Sequence, residues 1–154
     1  MPTAVHADPR ELWQNKFRTP TVAELIGGLA PPQAGLFEAA RERLAARPGL
    51  AEELVWMGVP WCWALAFRRG EDSPRPTAFL VPEPGKAVLS LPLEGESLAK
   101  VPLKKLSKSQ REALINGTRV GEVVWTVWEL QSKTALEEAL GLLGLVQDDG
   151  TKGN

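Results

Sequence analysis

The sequence predicts an α+β fold, an antiparallel sheet of about five strands with helices packed mainly on one face. Three observations predict it. Apolar residues recur at helical spacing near both ends, the middle of the chain alternates with period 2, and the strands so implied follow one another on links too short for a crossover helix. At 154 residues, 44% hydrophobic and 24% charged, the chain suits one domain large enough to bury a core.

Residues 1–18 are expected as a polar N-terminal tail, with Asp8-Pro9 as a turn signal and Leu12, Trp13 and Phe17 as docking residues; the domain proper spans 19–146, and 147–154 is a polar C-terminal tail. Thr21 can cap a first helix, with Glu24 reaching back to the cap N–H. Val22, Leu25, Ile26 and Leu29 follow at offsets 0, 3, 4 and 7, the stripe of an amphipathic helix. Pro31-Pro32 ends that helix and opens a second, from about Gln33 to Ala46, with Phe37, Ala40 and Leu44 inward and Arg41, Glu42, Arg43 and Arg47 solvated.

Glu53 to Met57 is expected as a short strand, since it leads into the Gly58-Val59-Pro60 turn; the end of a helix is the alternative. Beyond the turn, alternation places Trp61, Trp63, Leu65 and Phe67 on one side of a strand and Cys62, Ala64 and Ala66 on the other. The bulky side must be buried, covered by a partner or used to hold an apolar ligand. Thr77 to Val81 and Lys86 to Leu93 complete a three-stranded meander around Pro82-Glu83-Pro84-Gly85.

Pro102 argues against one continuous helix over Leu98 to Leu106, whereas Ser107 to Ile115 is helical, capped by Ser107 with Gln110 or by Ser109 with Glu112. Arg119 to Leu130 is the longest strand candidate. Its Trp125 and Trp128 differ by three positions and so face opposite sides; with helices on one face only, one indole lies on the other. Thr134 and Glu137 suit a last capping box, and Leu136, Ala139, Leu140 and Leu143 the stripe of a helix ending at Gly144.

Charge and cysteine content exclude several function classes. With 18 basic and 19 acidic residues, the net charge of −1 gives no global field to attract phosphate backbones or anionic lipid. No apolar run approaches the roughly 20 residues needed to span a bilayer. One cysteine allows no internal disulfide, and the N-terminus lacks the regions of a signal peptide, so a cytoplasmic location is expected, without nucleic-acid or membrane partners.

The Pro20-Thr21-Val22-Ala23-Glu24-Leu25 opening, Trp56 two before Gly58, Trp61-Cys62-Trp63, Phe79-Leu80-Val81-Pro82 and the segment from Gly117 to Trp128 carry a resemblance. Over about residues 19–145 the chain resembles a family of small bacterial proteins known only as a domain of unknown function, which implies no activity to transfer. More distantly, the layout is similar to frataxin-like bacterial iron-chaperone domains, in which helices cover one face of an antiparallel sheet. That likeness implies an iron-handling role through exposed carboxylates, though this chain has no dense acidic helix of that kind.

The chemical inventory contains no catalytic motif. His6 is the only histidine, so one chain cannot build a His-based triad or a multi-histidine metal site. Cys62, flanked by two indoles, fits a buried structural cysteine better than a nucleophile, which wants an electropositive, partly exposed setting. Glu52-Glu53, Glu71-Asp72, Glu94 with Glu96, Glu137-Glu138 and Asp148-Asp149 fit a solvated surface better than an acid–base pair; Glu122 and Glu129, in an apolar strand, are the better candidates. Lys100, Lys104, Lys105, Lys108 and Arg111 form one basic concentration, lacking the aromatics of single-strand binders and so expected as solvated surface.

Six tryptophans against no tyrosine are the most unusual feature. The expected function is non-enzymatic binding of a small apolar molecule, or of a protein partner such as a second copy, through a tryptophan-lined sheet face or cleft. Its residues are Trp61, Trp63, Trp125, Trp128 and Glu122. The alternatives are a metal-dependent enzyme using carboxylates such as Glu122, and an iron-handling protein; the sequence identifies no cofactor.

Overall fold

Two capping boxes start helices where the sequence places them. The Glu24 N–H donates to Thr21 Oγ1 and the Thr21 N–H to Glu24 Oε1, at 3.1 and 2.9 Å; Gln110 and Ser107 repeat the exchange at 3.1 and 2.9 Å. The structure, a computed structural model, describes residues 8–58, 60–70 and 75–152, with backbone alone from 147 onward. Its elements run α1 (Pro9–Gln14), α2 (Val22–Gly27), α3 (Pro31–Ala45), β1 (Leu50–Trp56), β2 (Trp63–Arg69), β3 (Ala78–Glu83), β4 (Lys86–Glu94), α4 (Gly95–Ala99), a 3-10 turn (Leu103–Lys105), α5 (Lys108–Asn116), β5 (Thr118–Val120), β6 (Val123–Glu129) and α6 (Lys133–Lys152). The fold is α+β, as the sequence predicts.

Among the described residues the sheet has six antiparallel strands in the order β1-β2-β3-β4-β6-β5. The extra strand arises inside the segment expected as one strand from Arg119 to Leu130. Gly121, at φ +60°, turns the chain in a two-residue hairpin that pairs Val120 with Val123, and β5 folds back on β6.

One face of the sheet carries the main core. Leu65, Leu80, Leu89 and Trp128 are successive cross-strand partners on it, with Phe67 and Leu91 beside them. Phe37, Ala40 and Leu44 of α3 and Leu136, Leu140 and Leu143 of α6 cover this layer, and each fully buried large side chain contributes roughly 1.5–3 kcal/mol. The buried polar atoms beneath are satisfied. Thr126 Oγ1 donates to the Leu91 carbonyl at 3.0 Å and accepts the Trp128 indole N–H at 3.1 Å, while Ser90 Oγ donates to the Thr126 carbonyl at 2.9 Å.

Two local expectations are corrected. The cap of α6 is Ser132, whose Oγ accepts from the Ala135 N–H at 3.1 Å, rather than Thr134. The helix also runs through Gly144, where an end was expected. A helical glycine costs only about 1 kcal/mol, and continuing past it buries Val146, worth roughly 1.5–3 kcal/mol. Gly141 has a packing reason, since a Cβ there would stand 3.2 Å from the Gln110 Nε2 of α5.

The N-terminal segment docks through Trp13. Its indole N–H donates to the Trp63 carbonyl at 3.0 Å and the Trp63 indole N–H donates to the Asn15 carbonyl at 2.8 Å; Trp13 is buried, Leu12 half-buried and Phe17 exposed. Trp13 packs with Ala64, Val81 and Val88 of the second sheet face. Among the described residues no helix is long and apolar enough to cross a membrane.

Candidate functional site

The expected sharing of one strand face by Trp61 and Trp63 does not hold. Cys62 adopts a left-handed backbone, φ +50°, so alternation begins only at Trp63. Two 2.7 Å hydrogen bonds close the loop, from the Cys62 N–H to the Gly58 carbonyl and from the Met57 N–H to the Cys62 carbonyl. Trp63 enters the sheet opposite Trp56, and their rings meet edge to face at 5.4 Å. Trp61, before that break and outside the strand, packs over the open face.

There Trp61 meets Phe79 of β3 at 5.5 Å and Trp125 of β6 at 5.9 Å, and Phe79 meets Trp125 at 5.8 Å. Phe79 is buried and the two indoles are half-exposed. Val127, two residues beyond Trp125 and on the same face, is 53% exposed, and Val120 on the paired edge strand is 60% exposed. The result is an apolar patch on the face that α3 and α6 leave uncovered.

The patch has a charged rim that is already paired. Glu83, Glu94 and Glu129 end β3, β4 and β6 on the same face by alternation. Arg10 lies 3.7 Å from Glu83, Arg75 3.5 Å from Glu94 and Lys86 3.7 Å from Glu129.

The expected site residues therefore separate. Trp61 and Trp125 come together on the open face. Trp128 faces the helices and Trp63 is buried, so both belong to the core. Glu122 sits in the β5–β6 turn rather than in a strand, with its side chain exposed and its carbonyl accepting the Gly95 N–H at 2.8 Å. Glu129, the other strand carboxylate, is engaged by Lys86. Among the described residues no three His, Cys, Asp or Glu side chains gather into a metal-holding group. His6, Glu71 and Asp72 and the side chains of Asp148 and Asp149 lie outside the described residues.

Cys62 is buried, its thiol 3.8 Å from the Pro60 carbonyl. Burial pushes the thiol above its ordinary pKa, Glu83 acts in the same direction and Arg10 opposes them. At neutral pH it stays protonated, a poor nucleophile.

Phe79 and Val127 are the site residues that sequence reasoning missed. The shared parity of Trp125 and Val127 was available; the position of Phe79 under two indoles depends on the loop reversal at Cys62. No family model matches the chain, and no curated protein or solved structure matches it.

Proposed function

We propose that the chain is a non-enzymatic protein-interaction domain in which the part of the sheet face left open by α3 and α6, around Trp61 and Trp125, receives the same face of a second copy. One observation carries this reading: an exposed apolar centre of Trp61, Trp125 and Val127 lies inside a rim of charges already paired within the chain. An apolar centre with a polar rim is the anatomy of protein interfaces, and indoles are favoured anchors there. A two-fold interface presents one patch to itself, which an uncharged apolar patch satisfies without like charges meeting at its centre. Trp61, Trp125 and Phe79 already pack on one another, which favours a partner laid over the rings.

Sedimentation velocity over a concentration series tests the proposal. The native chain is expected to move from monomer to dimer, and Val127→Asp, which places a carboxylate at the patch centre without touching the core, to stay monomeric. A native monomer throughout overturns the reading. A saturable change in tryptophan emission with an apolar compound, in a chain that remains monomeric, replaces it with small-molecule binding.

A further inference from the structure

The charge of this chain is unevenly spread. Residues 100–111 contain Lys100, Lys104, Lys105, Lys108 and Arg111 and no carboxylate, so the net charge of −1 resolves into +5 there and −6 over the rest. Elsewhere basic side chains pair readily: Arg18 with Glu24, Arg41 with Glu52 and Arg43 with Glu137. Among the described residues no ion pair engages any of these five, and all are exposed.

This stretch and the helix it leads into expose apolar side chains. Leu103, in the 3-10 turn, is 72% exposed, and Ile115 of α5 is 80% exposed. On α5, Lys108, Arg111 and Ile115 stand at offsets 0, 3 and 7, one stripe of the helix, with Glu112 as its single acid. That stripe faces away from the buried side, where Gln110 Nε2 donates to the Glu138 carbonyl of α6 at 3.0 Å. Three residue steps join Lys105 to Lys108, at most about 10 Å of chain, so the turn and the first turn of α5 form one surface.

We infer that this surface docks an acidic protein segment that also carries apolar side chains. Charge complementarity fixes the sign of the partner, and Leu103 and Ile115 supply the apolar anchors that a purely electrostatic surface lacks. Nucleic acid fits less well, because no aromatic ring lies among the cations to stack on a base. A membrane fits less well, because two aliphatic side chains offer little area for insertion. The surface is independent of the proposed dimer face.

A labelled synthetic peptide of alternating glutamate and leucine blocks, titrated by fluorescence anisotropy at physiological ionic strength, tests the inference. Saturable binding is expected, weakened about tenfold or more by Lys104→Glu with Lys105→Glu and measurably by Leu103→Ser with Ile115→Ser. All four side chains are exposed, and unchanged far-ultraviolet circular dichroism verifies that the variants fold. Absence of binding overturns the inference, as does equal binding of poly-glutamate, which would make the leucines irrelevant. Tighter binding of a single-stranded oligonucleotide or of phosphatidylserine vesicles overturns it too.

Discussion

The Trp61 and Trp125 rings meet edge to face at 5.9 Å, one from the loop before β2 and the other from the middle of β6. Phe79 lies against both rings, and the pair covers a sheet face that α3 and α6 leave open. Trp61 precedes the left-handed backbone of Cys62, which breaks the alternation that would have set it in one row with Trp63.

Trp125 and Trp128 should therefore differ sharply when truncated. Trp128→Ala removes a core indole that donates to Thr126 Oγ1, and is expected to cost about 3–5 kcal/mol in urea unfolding. Trp125→Ala leaves the core intact and removes a half-exposed ring, with an expected loss of roughly 1–2 kcal/mol in the monomer. Equal losses would mean that the open face is as much core as the covered one.

Gly117 couples helix packing to the site. An added Cβ would stand 2.8 Å from Val124 Cγ1 and 3.0 Å from the Trp125 carbonyl. Gly117→Ala is expected to cost about 1–3 kcal/mol by overpacking and to shift the Trp125 emission, because β6 backbone must give way. A neutral substitution with unchanged emission would show that the strand has room to spare.

Much of the fold was legible because its signals are local. The Thr21–Glu24 and Ser107–Gln110 caps, the inward Phe37, Ala40 and Leu44, and the opposed faces of Trp125 and Trp128 follow from spacing alone. What was missed turned on single backbone angles and on long-range contact. Gly121 at φ +60° splits one expected strand into a hairpin, and Cys62 at φ +50° breaks an alternation that the side chains themselves support. A cysteine is not a residue from which a left-handed φ is inferred. Trp63 and Trp128, half of the expected tryptophan site, lie in the core, while the paired rim could not be read from a linear chain, in which Arg10 and Glu83 are far apart.

The Cys62 thiol should be inert in the folded protein. Burial, with Glu83 in support, holds it protonated at neutral pH, so an aromatic disulfide reagent is expected to label it slowly in native buffer and at once in denaturant. Fast native labelling would place the thiol in solvent and contradict the closed loop.

Acid should weaken the start of α2 through Glu24. The Thr21 backbone N–H and then Arg18 hold its carboxyl below the ordinary carboxylate range. A folded pKa below the unfolded one contributes stability above the unfolded value, and that contribution is lost as pH falls through the folded one. Glu24→Gln should therefore be less stable than the native chain at neutral pH and equal to it in strong acid, as measured by urea unfolding across pH. A deficit that persists undiminished in acid would assign the effect to something other than the carboxylate charge.

The most direct test of the interaction face is acrylamide quenching of tryptophan emission at high and at low protein concentration. Association through Trp61 and Trp125 predicts that quenching weakens as concentration rises in the native chain and stays constant in Val127→Asp. Quenching of the native chain that equals that of Val127→Asp at both concentrations would contradict the account, leaving both indoles in solvent throughout.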